Sequence, residues 1–257
     1  MTGSISFDRA AEYYDRTRAL SDSVMARVVE LLESNLPAGE LCLEIGIGTG
    51  RIAVPLAKHG VRVAGVDISR QMLSKLRGKV GEGWPRVAIA DATHLPFAGR
   101  TFGGAIAAHV LHLIPEWKVA VDELLRVLRP GGVLLANRGA THQDGWRAEI
   151  TNRFFSETAR VKWPPGMSRI EELDAYMHER GISQRSLPTI REDYEESAAE
   201  VLAVLEAGYW SACWSMDDET RRTAAAATRE WARSHLGDLD TRRPTSETVI
   251  WHAYVLP

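Results

Sequence analysis

The sequence predicts an α/β fold: a mostly parallel, seven-stranded sheet covered by helices on both faces, with helical insertions added to it. Three observations lead there. The run Leu41-Cys42-Leu43-Glu44-Ile45 is almost continuously apolar, as suits a parallel strand buried on both faces. It meets glycines at 46, 48 and 50, after which apolar residues resume at helical spacing as far as Lys58. Two further apolar runs, 61–67 and 86–91, end in an acid and alternate with helical stretches, the pattern of βαβ units.

With 257 residues, 45% hydrophobic and 25% charged, the chain has the composition of a soluble globular protein, and one domain with additions accommodates it. A formal net charge of −3 gives no overall electrostatic footprint for nucleic acid or an anionic membrane. Cys42 and Cys213 lack metal-ligand spacing, and Cys42 sits in the proposed buried strand, which suits a reducing compartment. No signal peptide, transmembrane run or repeat is visible. The expectation is a cytoplasmic protein with a small-molecule substrate and neither a nucleic-acid nor a membrane partner. Oligomeric state is not legible.

Taken in order, residues 7–20 are aromatic and charged, either a helix docking Phe7, Tyr13 and Tyr14 on the core or a flap over a ligand. A helix follows over 21–35, capped by Ser21 or Asp22, with Val24, Val28, Leu31 and Leu32 on one face. Pro37-Ala38-Gly39 turns into the first strand. The second strand, 61–67, ends at Asp67, on the edge of a parallel sheet where ligands bind. A carboxylate there can take both hydroxyls of a ribose; the competing reading is a cap for the helix over 69–76. The third strand, 86–90, leads to Asp91-Ala92 and the loop Thr93-His94-Leu95-Pro96-Phe97. The fourth, 102–109, carries Gly103-Gly104 and ends at His109, with His112 just beyond. A helix over 117–128 is closed by Arg129-Pro130-Gly131-Gly132 before the fifth strand, which runs through Asn137.

The glycines remove Cβ atoms where the backbone bends and something must lie against it. A dinucleotide fingerprint G-x-G-x-x-G would place a small residue where Arg51 stands. The spacing is instead Glu44-x-Gly46-x-Gly48-x-Gly50, which resembles the first motif of the class I S-adenosylmethionine-dependent methyltransferases. D-A-T-H-L-P-F at 91–97, H-V-L-H-L-I-P at 109–115 and R-V-L-R-P-G-G-V-L-L at 126–135 resemble later motifs of that family, and F-D-R-A-A-E-Y-Y-D-R-T-R at 7–18 resembles the entry segment of its ubiquinone/menaquinone-type (methyltransferase type 11) members. The resemblance covers residues 7–135 and is weak in the terminal strands.

It implies a Rossmann-like fold and a cofactor, S-adenosylmethionine, leaving as S-adenosylhomocysteine. It also implies a cofactor site of Tyr14, Arg18, Glu44, Gly46, Gly48, Gly50, Asp67, Ile68, Met72, Asp91, Ala92 and His109, with Asp91 toward the adenine amino group. Gly103-Gly104 departs from the family, which usually carries an acid there. Imidazole beside a methyl donor can act as a general base, so His109 and His112 are the catalytic candidates, although at this place family members often use a backbone carbonyl. Neither histidine has a carboxylate or cysteine partner at ligand spacing, so no metal is expected.

Six of the eight tryptophans lie beyond residue 140. The expected organisation is one methyltransferase domain over 1–257: a helical flap at 1–36, the cofactor core at 37–140, cap insertions at 141–167 and 194–243, and the last helix and strands at 168–193 and 244–257. Within the caps, Trp146, Tyr209, Trp210 and Trp214 are the expected acceptor pocket, with Phe154 a further wall residue; the plainer reading of this apolar stripe is packing. The last two strands are placed at 183–190 and 248–256. The implied activity is in-line methyl transfer to an apolar or aromatic small molecule. A non-catalytic or regulatory S-adenosylmethionine-binding protein and a nicotinamide-dependent oxidoreductase are the other classes that fit part of the pattern.

Overall fold

A computed structural model of the chain describes residues 3–18, 20–80, 86–142, 145–158 and 163–257. The chain divides into two compact units, one of Met1–Gly139, Pro165–Ile190 and Ile250–Pro257, the other of Ala140–Pro164 and Arg191–Val249. Among the described residues no helix is long and apolar enough to cross a membrane.

The first unit opens with a 3₁₀ turn, Asp8–Ala10, and a short helix, α1 (Tyr14–Arg18). Next is α2 (Asp22–Glu33), whose first turn is capped by Ser21 Oγ accepting from the Val24 amide at 3.2 Å. The alternating core follows: β1 (Leu41–Ile45), α3 (Ala53–Lys58), β2 (Arg62–Asp67), α4 (Arg70–Val80), β3 (Arg86–Ile89), β4 (Phe102–Ala108), α5 (Trp117–Val127) and β5 (Leu128–Asn137). In the second unit β6 (Ala140–His142) precedes α6 (Gly145–Ser156); the chain then returns to the first unit for α7 (Ile170–His178) and β7 (Gln184–Ser186). The second unit resumes with β8 (Ile190–Ser197), α8 (Ala198–Glu206), α9 (Asp218–Leu236) and β9 (Arg242–Val249), and β10 (His252–Val255) completes the first unit's sheet.

That sheet has seven strands in the order β3-β2-β1-β4-β5-β10-β7. The neighbours from β3 to β5 are parallel, and β10 runs antiparallel to both β5 and β7. The order reverses at β1, which pairs with β2 on one side and β4 on the other, so a crevice opens at the carboxyl ends of β1 and β4. One pleat face, through Leu43, Ile45, Val66, Ala105, Ala107 and Leu134, joins Val121 and Leu124 of α5 and Leu173 and Met177 of α7 in a single core. On the opposite pleat Cys42, Ile106 and Leu135 are buried as well, as are Leu32 of α2 and Leu56 of α3. Burial on both faces explains why these strands read as apolar runs. It also pushes the Cys42 thiol up to about 11, which keeps it unreactive.

Gly103-Gly104 has a packing reason. Cβ atoms there would stand 2.6 Å from Glu40 Cβ and 2.8 Å from Leu36 Cδ2, so the segment entering β1 lies directly against β4.

The second half departs from expectation in three places. Only Gln184–Ser186 of the expected sixth strand joins the large sheet, and residues from Ile190 onward enter β8 of a separate three-stranded sheet, β6-β9-β8. The expected seventh strand is divided between β9 and β10, because an apolar stretch with both parities filled carries no mark of where one sheet ends. The insertion at 194–243 is helical in its middle, yet strands bound it. Most of β8 is charged, so it did not read as a core strand.

Candidate functional site

The glycine turn shapes the crevice. Gly46, Gly48 and Gly50 all have positive φ, at 63°, 56° and 78°. Two of them serve the protein's own packing: a Cβ at Gly46 would lie 2.4 Å from Val110 Cγ2, and one at Gly50 would lie 2.5 Å from Leu76 Cδ1. Gly48 differs, since its Cβ would point at Met72 Cε at 3.3 Å and Asp67 Oδ2 at 4.0 Å. Asp67, the last residue of β2, accepts from the Gly48 amide through Oδ2 and from the Ser69 amide through Oδ1, both at 2.8 Å. Ser69 Oγ in turn caps α4 by accepting from the Met72 amide at 3.1 Å. Burial raises the Asp67 pKa above its ordinary value, opposed by those amides.

Glu44 lies under the turn, only 2% exposed. The Ala53 amide donates to it, while Oε2 has no hydrogen-bond partner. Burial pushes this carboxyl up to about 8 against the nearby Arg51 charge and the Ala53 amide.

Beyond β3, Asp91 Oδ1 accepts from the Thr93 amide at 2.9 Å and from Thr93 Oγ1 at 2.8 Å, which folds the loop back. The loop is held from α5, where Glu123 accepts the Leu95 amide at 2.8 Å and Arg126 donates to the Phe97 and Leu95 carbonyls at 2.8 and 3.1 Å. Bonding to Arg126 keeps the Glu123 carboxyl below its usual range.

His109 follows β4 with φ +52°, a conformation uncommon for a residue with a side chain, and its amide donates to the Asn137 carbonyl at 2.9 Å. Its ring passes so near Gly139 that a Cβ there would stand 3.0 Å from Nε2. The His109 and His112 rings stack at 4.5 Å between centroids, 19° from parallel. His112 is 4% exposed within the 3₁₀ turn Leu111–Leu113, and its carbonyl accepts from the Gly166 amide at 2.9 Å.

These elements line a cavity that opens to solvent. Tyr14, Gly46, Gly48, Asp67, Ile68, Met72, Asp91, Ala92 and His109 line it, all of them expected from the sequence. Glu44, Gly50 and His112 are not in the lining: Glu44 and Gly50 support the turn from behind, and His112 backs His109. The Arg18 side chain falls outside the described residues. Sequence reasoning missed most of the apolar wall, chiefly Ile5, Val110, Leu113 and Ile114; Phe7, in the segment read as core packing or flap, lines it too. Such residues carry no chemical signature; the Ile5 amide, donating to the Leu113 carbonyl at 3.1 Å, ties the N-terminal segment to that wall.

The four residues expected in an acceptor pocket belong to the second unit. Trp146 and Trp210 pack against its core, around Ile150, Phe154, Leu202 and Leu205. Trp214 Nε1 donates to the Gly208 carbonyl at 3.1 Å. The helical stripe expected through Tyr209, Trp210 and Trp214 is interrupted, since α8 stops at Glu206 and Gly208 turns the chain with φ +71°. Phe154 is fully buried in that same core.

An open, mostly parallel sheet with a cavity at its switch point, acids at the ends of adjacent strands and a glycine turn after the next strand defines the class of α/β folds that hold nucleoside cofactors. A family model described as a methyltransferase domain matches residues 43–136. The demethylmenaquinone methyltransferase of Clavibacter sepedonicus is 35% identical over 133 residues, 50% of this chain and 54% of that protein. The phosphatidylethanolamine N-methyltransferase of Cereibacter sphaeroides is 34% identical over 142 residues, 53% of this chain and 68% of that one. The chain thus spans little more than half the length of the first relative and about two thirds of the second. Among solved structures, the YcgJ protein of Bacillus subtilis has the same fold, with a TM-score of 0.61 at 17% identity over 91% of this chain and 98% of that one. The chain belongs to the S-adenosylmethionine-dependent methyltransferases.

Proposed function

We propose that this protein transfers the methyl group of S-adenosylmethionine to a small apolar or aromatic acceptor, and that the cavity at the ends of β1, β2, β3 and β4 holds the donor. The observation that carries this reading is the joint lining of one cavity by Gly48, Asp67, Asp91 and His109 within an otherwise mostly apolar wall. Two features support the fit to the donor. Gly48 leaves open the space its Cβ would fill between Met72 and Asp67, which suits a nucleoside laid on the turn. Asp67 and Asp91 both line that cavity, and a carboxylate is the group that accepts from ribose hydroxyls or an adenine amino group.

The sulfonium of the donor supplies an already activated methyl group. The protein's task is then to hold the acceptor in line, at near-attack distance and away from water, which contributes several kcal/mol to lowering the barrier. Ile5, Phe7, Leu113 and Ile114 provide the dry side. His109 offers a proton acceptor at the same lining for an acceptor hydroxyl, amine or thiol. The two relatives' names point to different acceptors, a quinone precursor and a phospholipid amine, so the apolar wall is the ground for the acceptor class.

Calorimetry with S-adenosylmethionine, S-adenosylhomocysteine and NAD tests the donor. The expected result is binding of the first two alone; tight binding of NAD without S-adenosylmethionine would sink the reading. Release of S-adenosylhomocysteine across a panel of phenols, quinols, amines and thiols then tests the acceptor. Turnover confined to charged, strongly polar acceptors would refute the apolar class.

A further inference from the structure

The N-terminal segment contributes Ser4, Ile5, Phe7 and Tyr14 to the cavity, and its only regular elements in residues 3–18 are the 3₁₀ turn Asp8–Ala10 and the short α1. It is fastened by a row of carboxylates facing α4. Asp8 accepts from Ser69 Oγ at 2.5 Å and from the Gln71 amide at 3.3 Å, Glu12 pairs with Lys75 at 2.8 Å, and Asp15 pairs with Lys79 at 2.6 Å. The third tie is of a different kind. Asp15 Oδ1 also accepts from Thr49 Oγ1 at 2.6 Å, and Lys79 Nζ donates to the Thr49 carbonyl at 3.0 Å. Thr49 is fully buried between Gly48 and Gly50. One carboxylate therefore closes a three-part ring joining α1, the glycine turn and α4, and the neighbouring residue, Tyr14, lines the cavity with Phe7 edge-on at 5.9 Å.

We propose that Asp15 is a positioning residue for the donor: it latches the N-terminal segment to the glycine turn through Thr49 and Lys79, and opening of that latch limits donor exchange. This rests on the reading of the cavity as the donor site. Glu12 and Lys75 lie on the outside, with the Glu12 side chain 79% exposed, and such a pair contributes little. The Asp15 ring has one buried member, so it outweighs that pair; its other two, Asp15 and Lys79, are 47% and 39% exposed, so salt reaches it.

The experiment follows dissociation of S-adenosylhomocysteine by stopped-flow, with the melting temperature of the ligand-free protein as the check on folding. Asp15→Asn is expected to speed dissociation about three- to tenfold, the range of a lost charge-assisted bond, with little change in melting temperature. Lys79→Met acts in the same direction, the two effects are non-additive in the double variant, and Glu12→Gln leaves the rate unchanged. In the wild type, dissociation quickens between about 0.05 and about 0.5 M salt, and that dependence is smaller in Asp15→Asn. Should Asp15→Asn not fold, Lys79→Met carries the same readout. A wild type that binds S-adenosylhomocysteine, together with variants whose rate and salt dependence match it, overturns the latch while leaving the donor site standing. A wild type that does not bind it overturns both.

Discussion

The side chain of Asp67 holds the backbone amide of Gly48 at 2.8 Å, so the end of β2 and the apex of the glycine turn form one unit. The carboxylate thus has a structural task and a place in the cavity lining at once. Of the two readings offered for Asp67, the helix cap passes to Ser69, whose Oγ accepts from the Met72 amide, while the other oxygen of Asp67 takes the Ser69 amide just before α4.

Asp67→Ala leaves both amides without an acceptor and removes the proposed ribose contact. Affinity for S-adenosylhomocysteine should fall about tenfold or more, since bonds to a charged group contribute about 1.5–3 kcal/mol. Asp67→Asn, which keeps an acceptor oxygen, should lose less. Calorimetry on both variants checks the order; equal affinity for Asp67→Ala and wild type would remove Asp67 from the donor site.

Gly46 has no room for a methyl group. Gly46→Ala combines φ +63° with a contact of 2.4 Å to Val110, on the rim of the cavity. A cost of about 1–3 kcal/mol is expected, read as a lower midpoint in urea unfolding with the slope unchanged. Gly48→Ala meets milder contacts, the nearest 3.3 Å away, and should weaken donor binding more than it weakens the fold.

At His109, asparagine tolerates the same positive φ and lacks the imidazole, so His109→Asn separates backbone shape from proton transfer. If the ring is the base, kcat falls about 10²-fold or more while the donor Kd holds. An unchanged kcat makes His109 a wall residue.

Glu44 links stability to pH. Its folded pKa, about 8, lies above the ordinary glutamate value of 4.5, so between those values the native state carries a proton that the unfolded chain has lost. Unfolding then releases no proton from Glu44 below pH 4.5 and one proton between about pH 4.5 and 8, so stability falls as pH rises through that window and levels off above it. Glu44→Gln should flatten this part of a stability profile recorded by denaturant titration. A profile of the variant that is parallel to the wild type would show that Glu44 ionises normally.

The sequence by itself determined the first half. Strands covered on both faces must be continuously apolar, a sharp turn at the end of β1 needs glycine, and acids ending β2 and preceding the loop after β3 must lie on one sheet edge. Those constraints are local or follow from the handedness of βαβ units, so Gly48, Asp67, Asp91 and His109 were legible as neighbours, whereas Tyr14 was implied only by the family resemblance of the entry segment. Tertiary structure alone decided the rest. Ile5 and Ile114 share a wall although more than a hundred positions separate them, and nothing about an isoleucine announces that. Whether residues 242–249 and 252–255 form one strand or two depends on which sheet each finds, because a strand's pattern records its burial and not its partner. In the aromatic run after α8, Trp210 packs against the second unit's core and Trp214 bonds to the Gly208 carbonyl, arrangements the sequence does not announce, since a tryptophan reads the same whether it faces a ligand or its own core.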